Sequence, residues 1–169
     1  MLEISVRGQD AKAVALAERL KVPRNILCDG ELEYRNEKLA LTLHKPKSLG
    51  PWAVDYQKGA MGYRLRRLQS ESQLLLKAIG LKQGLVVDLT FGWGKDSMLL
   101  AQGGLQVLAC ERSPIVFEMT QDALKRFSRS EAPRVILSSA DEFYQAYKNT
   151  VAPDVVYIDP MFPERKKTA

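Results

Sequence analysis

In the second half of this 169-residue chain, short apolar runs end in residues whose types suit the gripping of a polar ligand. The run "LVVDL" ends around Asp88 and leads into Thr90-Phe91-Gly92-Trp93-Gly94-Lys95-Asp96. Gly92 and Gly94 permit a tight turn and close backbone approach, and the helix expected next presents amide groups to an anion or a polar ligand. The spacing is G-x-G-x-x-S, with Ser97 where a dinucleotide fingerprint has glycine or alanine. The run "QVLAC" ends at Glu111, followed by Arg112, Ser113 and Pro114. Ser113 suits an N-cap and Pro114 a first helical position, so the Glu111 carboxylate is expected at a strand tip. There it can accept both hydroxyls of a ribose; the alternative is an exposed acid paired with Arg112. Its distance beyond the glycine loop favours the ribose. "RVIL" ends in Ser138-Ser139-Ala140-Asp141, where Ser139 and Asp141 could reach an adenine edge or Asp141 could cap the next helix.

The fourth run, Val155 to Ile158, opens into Asp159-Pro160-Met161-Phe162. That turn suits a reaction at the exocyclic amine of a nucleobase. Such an amine is a poor nucleophile because its lone pair is delocalised into the ring. Hydrogen bonds to the Asp159 carboxylate and the Pro160 carbonyl would hold it out of conjugation and favour the charge that develops on attack. Phe162 could stack on the base. The bland alternative is a strand, a proline turn and a core phenylalanine. The glycine loop and acid that precede it, in that order, favour the chemistry.

These four runs need a scaffold that brings their carboxyl ends together. Near-continuous apolar strands separated by helix-like stretches imply an α/β fold with a parallel sheet covered on both faces. Ligands in such sheets sit at the strands' carboxyl ends, where the winding reverses. Upstream, "LEISV" reads as a strand, "AKAVALAERLKV" as a helix and "LEYRNEKLALTLH" as a hairpin turning near Asn36. Residues 1–51 are therefore expected to form a small α/β subdomain that ends in a Pro/Gly linker, "KPKSLGPW". Residues 52–83 form a basic segment with a helix reaching Ile79, and 84–169 form the ligand-binding core.

The net charge of +5 is concentrated in residues 52–83, which carry six basic against two acidic groups. Arg66 and Arg67 lie off the apolar stripe of the expected helix, with Arg64 at its margin, and all three are candidates for phosphate contacts; a merely solvated face is the alternative. Two distant cysteines and one histidine argue against a metal site. No apolar run is long enough to span a bilayer, and "MLEISVRGQD" lacks the layout of a signal peptide. A cytoplasmic protein with reduced thiols is expected.

The order of motifs resembles that of class I S-adenosylmethionine-dependent methyltransferases. "VDYQKGAMGYRLRR", "VVDLTFGWGKDSMLLAQGG", "LACERSP" and "VVYIDPMFP" are similar to the RsmJ family, which methylates a guanine N2 in 16S ribosomal RNA. The resemblance covers about Trp52 to Pro163. It implies a Rossmann-like core, S-adenosyl-L-methionine as donor and small-subunit ribosomal RNA as partner. It also implies a cofactor pocket lined by Lys95, Asp96, Glu111, Arg112, Ser139, Ala140 and Asp159; the reading of the first strand end adds Asp88, Gly92 and Gly94. Asp159, Pro160 and Phe162 would then be the catalytic turn. "LRRLQSESQ" stands where family members carry a glycine-rich stretch. The family also continues beyond "DPMFP", so the chain is expected to hold the first four core strands of a larger sheet. Its fourth strand would be an apolar edge prone to self-association. Two other readings use the same residues: a nicotinamide-dependent oxidoreductase, against which Ser97 and the Asp159 turn weigh, and a non-catalytic RNA-binding module.

Overall fold

The computed structural model describes residues 2–45, 49–67, 74–127 and 131–160. The chain builds two four-stranded sheets. The first holds β1 (Ile4–Arg7), β2 (Gly30–Arg35), β3 (Lys38–Leu43) and β4 (Leu49–Ala53) in that order, with α1 (Ala11–Leu20) against it. The hairpin turn falls on Asn36 and Glu37, both in the left-handed region at φ 47° and 62°. That pair of conformations matches the twist of a two-residue hairpin.

The linker expected at "KPKSLGPW" is corrected from Leu49 onward, and its residues 46–48 lie outside the described residues. Leu49–Ala53 pairs antiparallel with β3 as an edge strand, with Leu41 opposite Trp52. Pro51 is tolerated because an edge strand leaves one side of its ladder unused. The single basic helix is likewise revised. α2 (Gly59–Arg66) and α3 (Leu74–Ile79) are separate elements, and Leu68 and the stretch up to Gln73 lie outside the described residues.

The second sheet holds β5 (Leu85–Asp88), β6 (Gln106–Glu111), β7 (Arg134–Leu137) and β8 (Val155–Tyr157). All pairs are parallel and the order is β7-β6-β5-β8, the doubly wound arrangement expected. The winding reverses between β5 and β8. The helices α4 (Lys95–Gln102), α5 (Pro114–Arg126) and α6 (Ala140–Tyr147) connect the strands. On one face Val86, Val107 and Ala109 pack with Leu100 and Ala101 of α4 and with Leu75, Leu76 and Ile79 of α3. On the other, Val87 and Cys110 pack with Phe143 of α6. Burial on both faces explains why these strands read as continuous apolar runs.

The two sheets share a core. Val6, Leu16, Leu32 and Leu39 of the first unit pack with Met98 and Leu99 of α4 and with Met119 and Ala123 of α5. Polar bonds close the same interface. Arg19 makes a two-pronged ion pair with Glu118, and the Leu39 amide donates to Asp122 at 3.0 Å. Among the described residues no helix is long and apolar enough to cross a membrane.

Candidate functional site

The carboxyl ends of β5, β6 and β8 converge through a chain of hydrogen bonds. Asp88, at the end of β5, is 2% exposed. One carboxylate oxygen accepts from the Thr90 amide at 2.8 Å and from its hydroxyl at 3.2 Å; the other accepts from the Ser97 hydroxyl at 2.6 Å. Burial pushes the Asp88 carboxyl above its ordinary range, opposed by those three bonds. The Thr90 oxygen in turn accepts from the Asp159 amide at 2.8 Å. The Leu89 amide donates to the Tyr157 carbonyl, carrying the β5–β8 ladder up to the turn. Asp159 and Pro160 are exposed at its end; Phe162 lies outside the described residues.

Between Asp88 and α4 the loop turns on Gly92 and Gly94, with φ of 53° and 67°. Gly94 is the N-cap of α4 and brings no capping side chain. A Cβ there would lie 2.5 Å from the Phe91 ring and 2.6 Å from the Tyr56 hydroxyl, so the backbone is packed from beneath. At Gly92 a Cβ would meet only the Thr90 carbonyl, at 3.7 Å, which leaves the loop open on that side. Tyr56, itself buried, donates its hydroxyl to the Trp93 carbonyl at 3.1 Å.

Glu111 is buried at the tip of β6, and its carboxylate is committed to the backbone. It accepts from the Gly92 amide at 2.9 Å and from the Ser113 amide at 2.7 Å. Those bonds, rather than Arg112, orient it; Arg112 is exposed. Each oxygen retains a second lone pair able to accept a hydroxyl. Ser113 caps α5 through the Val116 amide, with Pro114 as the first helical residue, as expected.

The third strand end differs from expectation. Ser139, not Asp141, caps α6, in a reciprocal capping box with Glu142. Its hydroxyl donates to the Glu142 carboxylate at 2.9 Å and accepts from the Glu142 amide, so it serves the helix. Ala140 is the first residue of α6, and the Ser138 amide donates to the Glu111 carbonyl, which ties this end to β6.

Lys95, exposed, and Asp96 form the first turn of α4. Asp96 accepts from the Tyr157 hydroxyl at 3.0 Å, and Arg64 of α2 approaches its other oxygen at 3.9 Å. Burial first, and then the Asp96 hydrogen bond, push the Tyr157 phenol upward. Arg66 and Arg67, expected to reach out to solvent, also have local partners. Arg66 donates to the Gln57 carbonyl at 2.9 Å, and the Arg67 guanidinium lies 4.7 Å from the Tyr63 ring centroid.

Sequence reasoning missed Thr90, Ser97, Tyr157, Tyr56, Trp52 and Trp93. Ser97 had a signal: a hydroxyl in the third fingerprint position reaches back to the strand acid. Thr90, two residues after an aspartate, carries the Asx-turn spacing. The aromatic contacts join distant segments and left no local trace. Among the described residues no cluster of His, Cys, Asp and Glu could hold a metal ion. A cleft of about 470 Å³ lies at the opposite, amino-terminal end of the sheet, lined by Leu85, Gln106, Glu131 and Arg134 among others.

The donor set fits the adenosine and methionine parts of S-adenosylmethionine: an acid with spare lone pairs, an open glycine loop and an uncapped helix start. Residues 15–169 match a family model described as "Putative SAM-dependent methyltransferase". Curated relatives named Ribosomal RNA small subunit methyltransferase J include one from Thioalkalivibrio sulfidiphilus, 32% identical over 98% of this chain and 72% of its own length. Others come from Shewanella denitrificans, 38% identical over 100% of the chain and 72% of the relative, and Nitrosococcus oceani, 38% over 76% and 55%. The chain thus spans from about half to three-quarters of the length of these relatives. A crystal structure of a SAM-dependent methyltransferase from Neisseria gonorrhoeae superposes with a TM-score of 0.74 at 25% identity, over 94% of this chain and 70% of that one. By sequence along nearly its whole length, and by fold, this chain belongs to the RsmJ family of S-adenosylmethionine-dependent methyltransferases.

Proposed function

We propose that the protein transfers a methyl group from S-adenosylmethionine to the N2 amine of a guanine in 16S ribosomal RNA, in the cytoplasm. The observation that carries this reading is the junction at the winding reversal. There Thr90 links the Asp159 backbone to the buried Asp88 and thereby to the glycine loop. An acid turn built for an amine and a loop built for the donor are held in one network.

S-adenosylmethionine supplies an electrophilic methyl group already activated by its sulfonium. Glu111 would accept the ribose hydroxyls, Gly92 and Gly94 would let the methionine portion approach, and Lys95 and Asp96 would line that end. Arg112, Ser139 and Ala140 would border the adenine, with Ser139 contributing backbone because its hydroxyl caps α6. Asp159 and the Pro160 carbonyl would accept hydrogen bonds from the target amine, keep its lone pair directed at the methyl group and favour the developing positive charge. Phe162 would stack on the guanine. Arg64, Arg66 and Arg67 would contact the RNA backbone from the exposed side of α2.

Self-association through the outer edge of β8, where Val156 and Ile158 are half-exposed, belongs to the same proposal. Sedimentation that stays monomeric at every concentration removes that part.

The decisive experiment is methyl transfer from radiolabelled S-adenosylmethionine to unmodified small-subunit RNA by wild-type protein and by Asp159→Ala. The variant is expected to lose turnover while still binding the cofactor measurably. Unchanged turnover would remove Asp159 from the chemistry. Tight binding of NAD with none of S-adenosylmethionine would favour the oxidoreductase reading.

A further inference from the structure

β4 is an outer strand of the first sheet, and Leu49 to Trp52 along it are exposed. Trp52 is 45% exposed, so much of a large ring is left uncovered. It is nevertheless held in place. It meets Trp93 edge to face, with centroids 4.4 Å apart. Trp93 sits between the two loop glycines, and its carbonyl is bonded by the buried Tyr56. Trp52 is thus anchored to the lip of the glycine loop with part of its ring open.

The neighbouring surface is cationic and aromatic. Lys95 follows Gly94 and is exposed. Arg64 reaches Asp96 from α2, which packs on α4. Tyr63 on the same helix is 52% exposed, with Arg67 over its ring. Exposed rings interleaved with cations are the composition of a single-strand nucleic-acid surface, where bases stack and phosphates meet the charges.

We infer that Trp52 is a stacking platform for an unpaired RNA base beside the target nucleotide. The small N-terminal sheet then supplies part of the substrate surface of a site whose cofactor residues belong to the strands of the second sheet and the connections between them. This inference rests on the RNA methyltransferase reading. Single-stranded RNA is the partner because a duplex conceals its base faces, and a base drawn into the site leaves its neighbours unstacked.

The test uses Trp52→Ala and Trp52→Phe in the full-length protein. Cofactor affinity is measured by calorimetry, and RNA affinity by anisotropy of a labelled single-stranded oligoribonucleotide and of its duplex. The alanine variant is expected to bind the single strand about tenfold more weakly, while S-adenosylmethionine affinity stays within about twofold. Phenylalanine should restore most of the loss, and wild type should prefer the single strand to the duplex. Equal single-strand affinity for wild type and Trp52→Ala overturns the platform. A parallel fall in cofactor and RNA affinity also overturns it, because Trp52 would then act only by propping the loop. Wild-type protein that binds the cofactor but no RNA overturns the RNA reading itself, and the platform with it.

Discussion

Glu111 must hold two backbone amides and still accept a ribose, and a carboxylate can do this because it has no donor of its own. Glutamine at this position would turn an N–H group toward either Gly92 or Ser113. Glu111→Gln is therefore expected to weaken S-adenosylmethionine binding by about tenfold or more, as read by calorimetry, with little change in far-UV circular dichroism. Thr90 has a different duty. Its oxygen accepts from the Asp159 amide while its proton goes to Asp88. Thr90→Val keeps the shape and removes both bonds. Turnover should fall several-fold while cofactor affinity is largely retained, since the loss falls on the β8 turn. Loss of cofactor binding with unchanged turnover per bound cofactor would contradict that assignment.

At the scale of elements, the β5–α4 connection depends on close approach at Gly94. Gly94→Ala adds a methyl group into Phe91 and Tyr56 at a left-handed residue. A cost of about 2 kcal/mol or more is expected in urea unfolding, against about 1 kcal/mol for Gly92→Ala, where only the backbone conformation is penalised. The entry to α2 depends on charge. Asp55 accepts from Lys38 of β3 and from the amides of Gln57 and Lys58. Burial alone would raise its pKa, but the Lys38 ammonium and the two amides outweigh it and hold the carboxyl below its usual range. A lowered folded pKa contributes stability above the unfolded value, which is lost as pH falls through the folded one. Asp55→Asn should therefore be destabilising at pH 7, and its deficit against wild type should shrink below about pH 4. A deficit that stays constant down to pH 3 would show that the asparagine fails for another reason.

Across the whole molecule, Arg126 is one of the α5 residues that tie the second unit to the first. Arg126 donates to the Val54 carbonyl at 2.7 Å and to Asp122 at 2.9 Å, and Asp122 accepts from the Leu39 amide. Arg126→Met keeps the stem but takes the donor from the Val54 carbonyl and leaves the Asp122 carboxylate with the Leu39 amide and no guanidinium. A loss of about 2–3 kcal/mol in unfolding free energy is expected. If the first unit were only loosely attached, the change would be within the scatter of a surface substitution. Trp93 packs against the shared core and meets Trp52 of β4, so this interface bears on the site as well as on stability.

Local pattern was enough to reveal the second sheet. Its apolar runs, glycine turn and strand-tip acids are encoded within a few residues of one another, and each follows from backbone sterics and burial. The Asn36 turn and the Ser113–Pro114 helix start were legible for the same reason. The role of the first fifty residues was not legible, because it depends on contacts such as Leu39 with Asp122 that span 83 positions. The linker reading of "KPKSLGPW" failed from Leu49 onward because proline and glycine mark a loop or an edge strand alike, and only pairing with β3 separates the two. Ser139 looked available to a ligand until its capping box with Glu142 claimed the hydroxyl. Residue types thus declared which groups could do chemistry. Tertiary structure alone decided which of them were already spent on holding the fold, since a hydrogen bond or a ring contact exists only once distant segments have met.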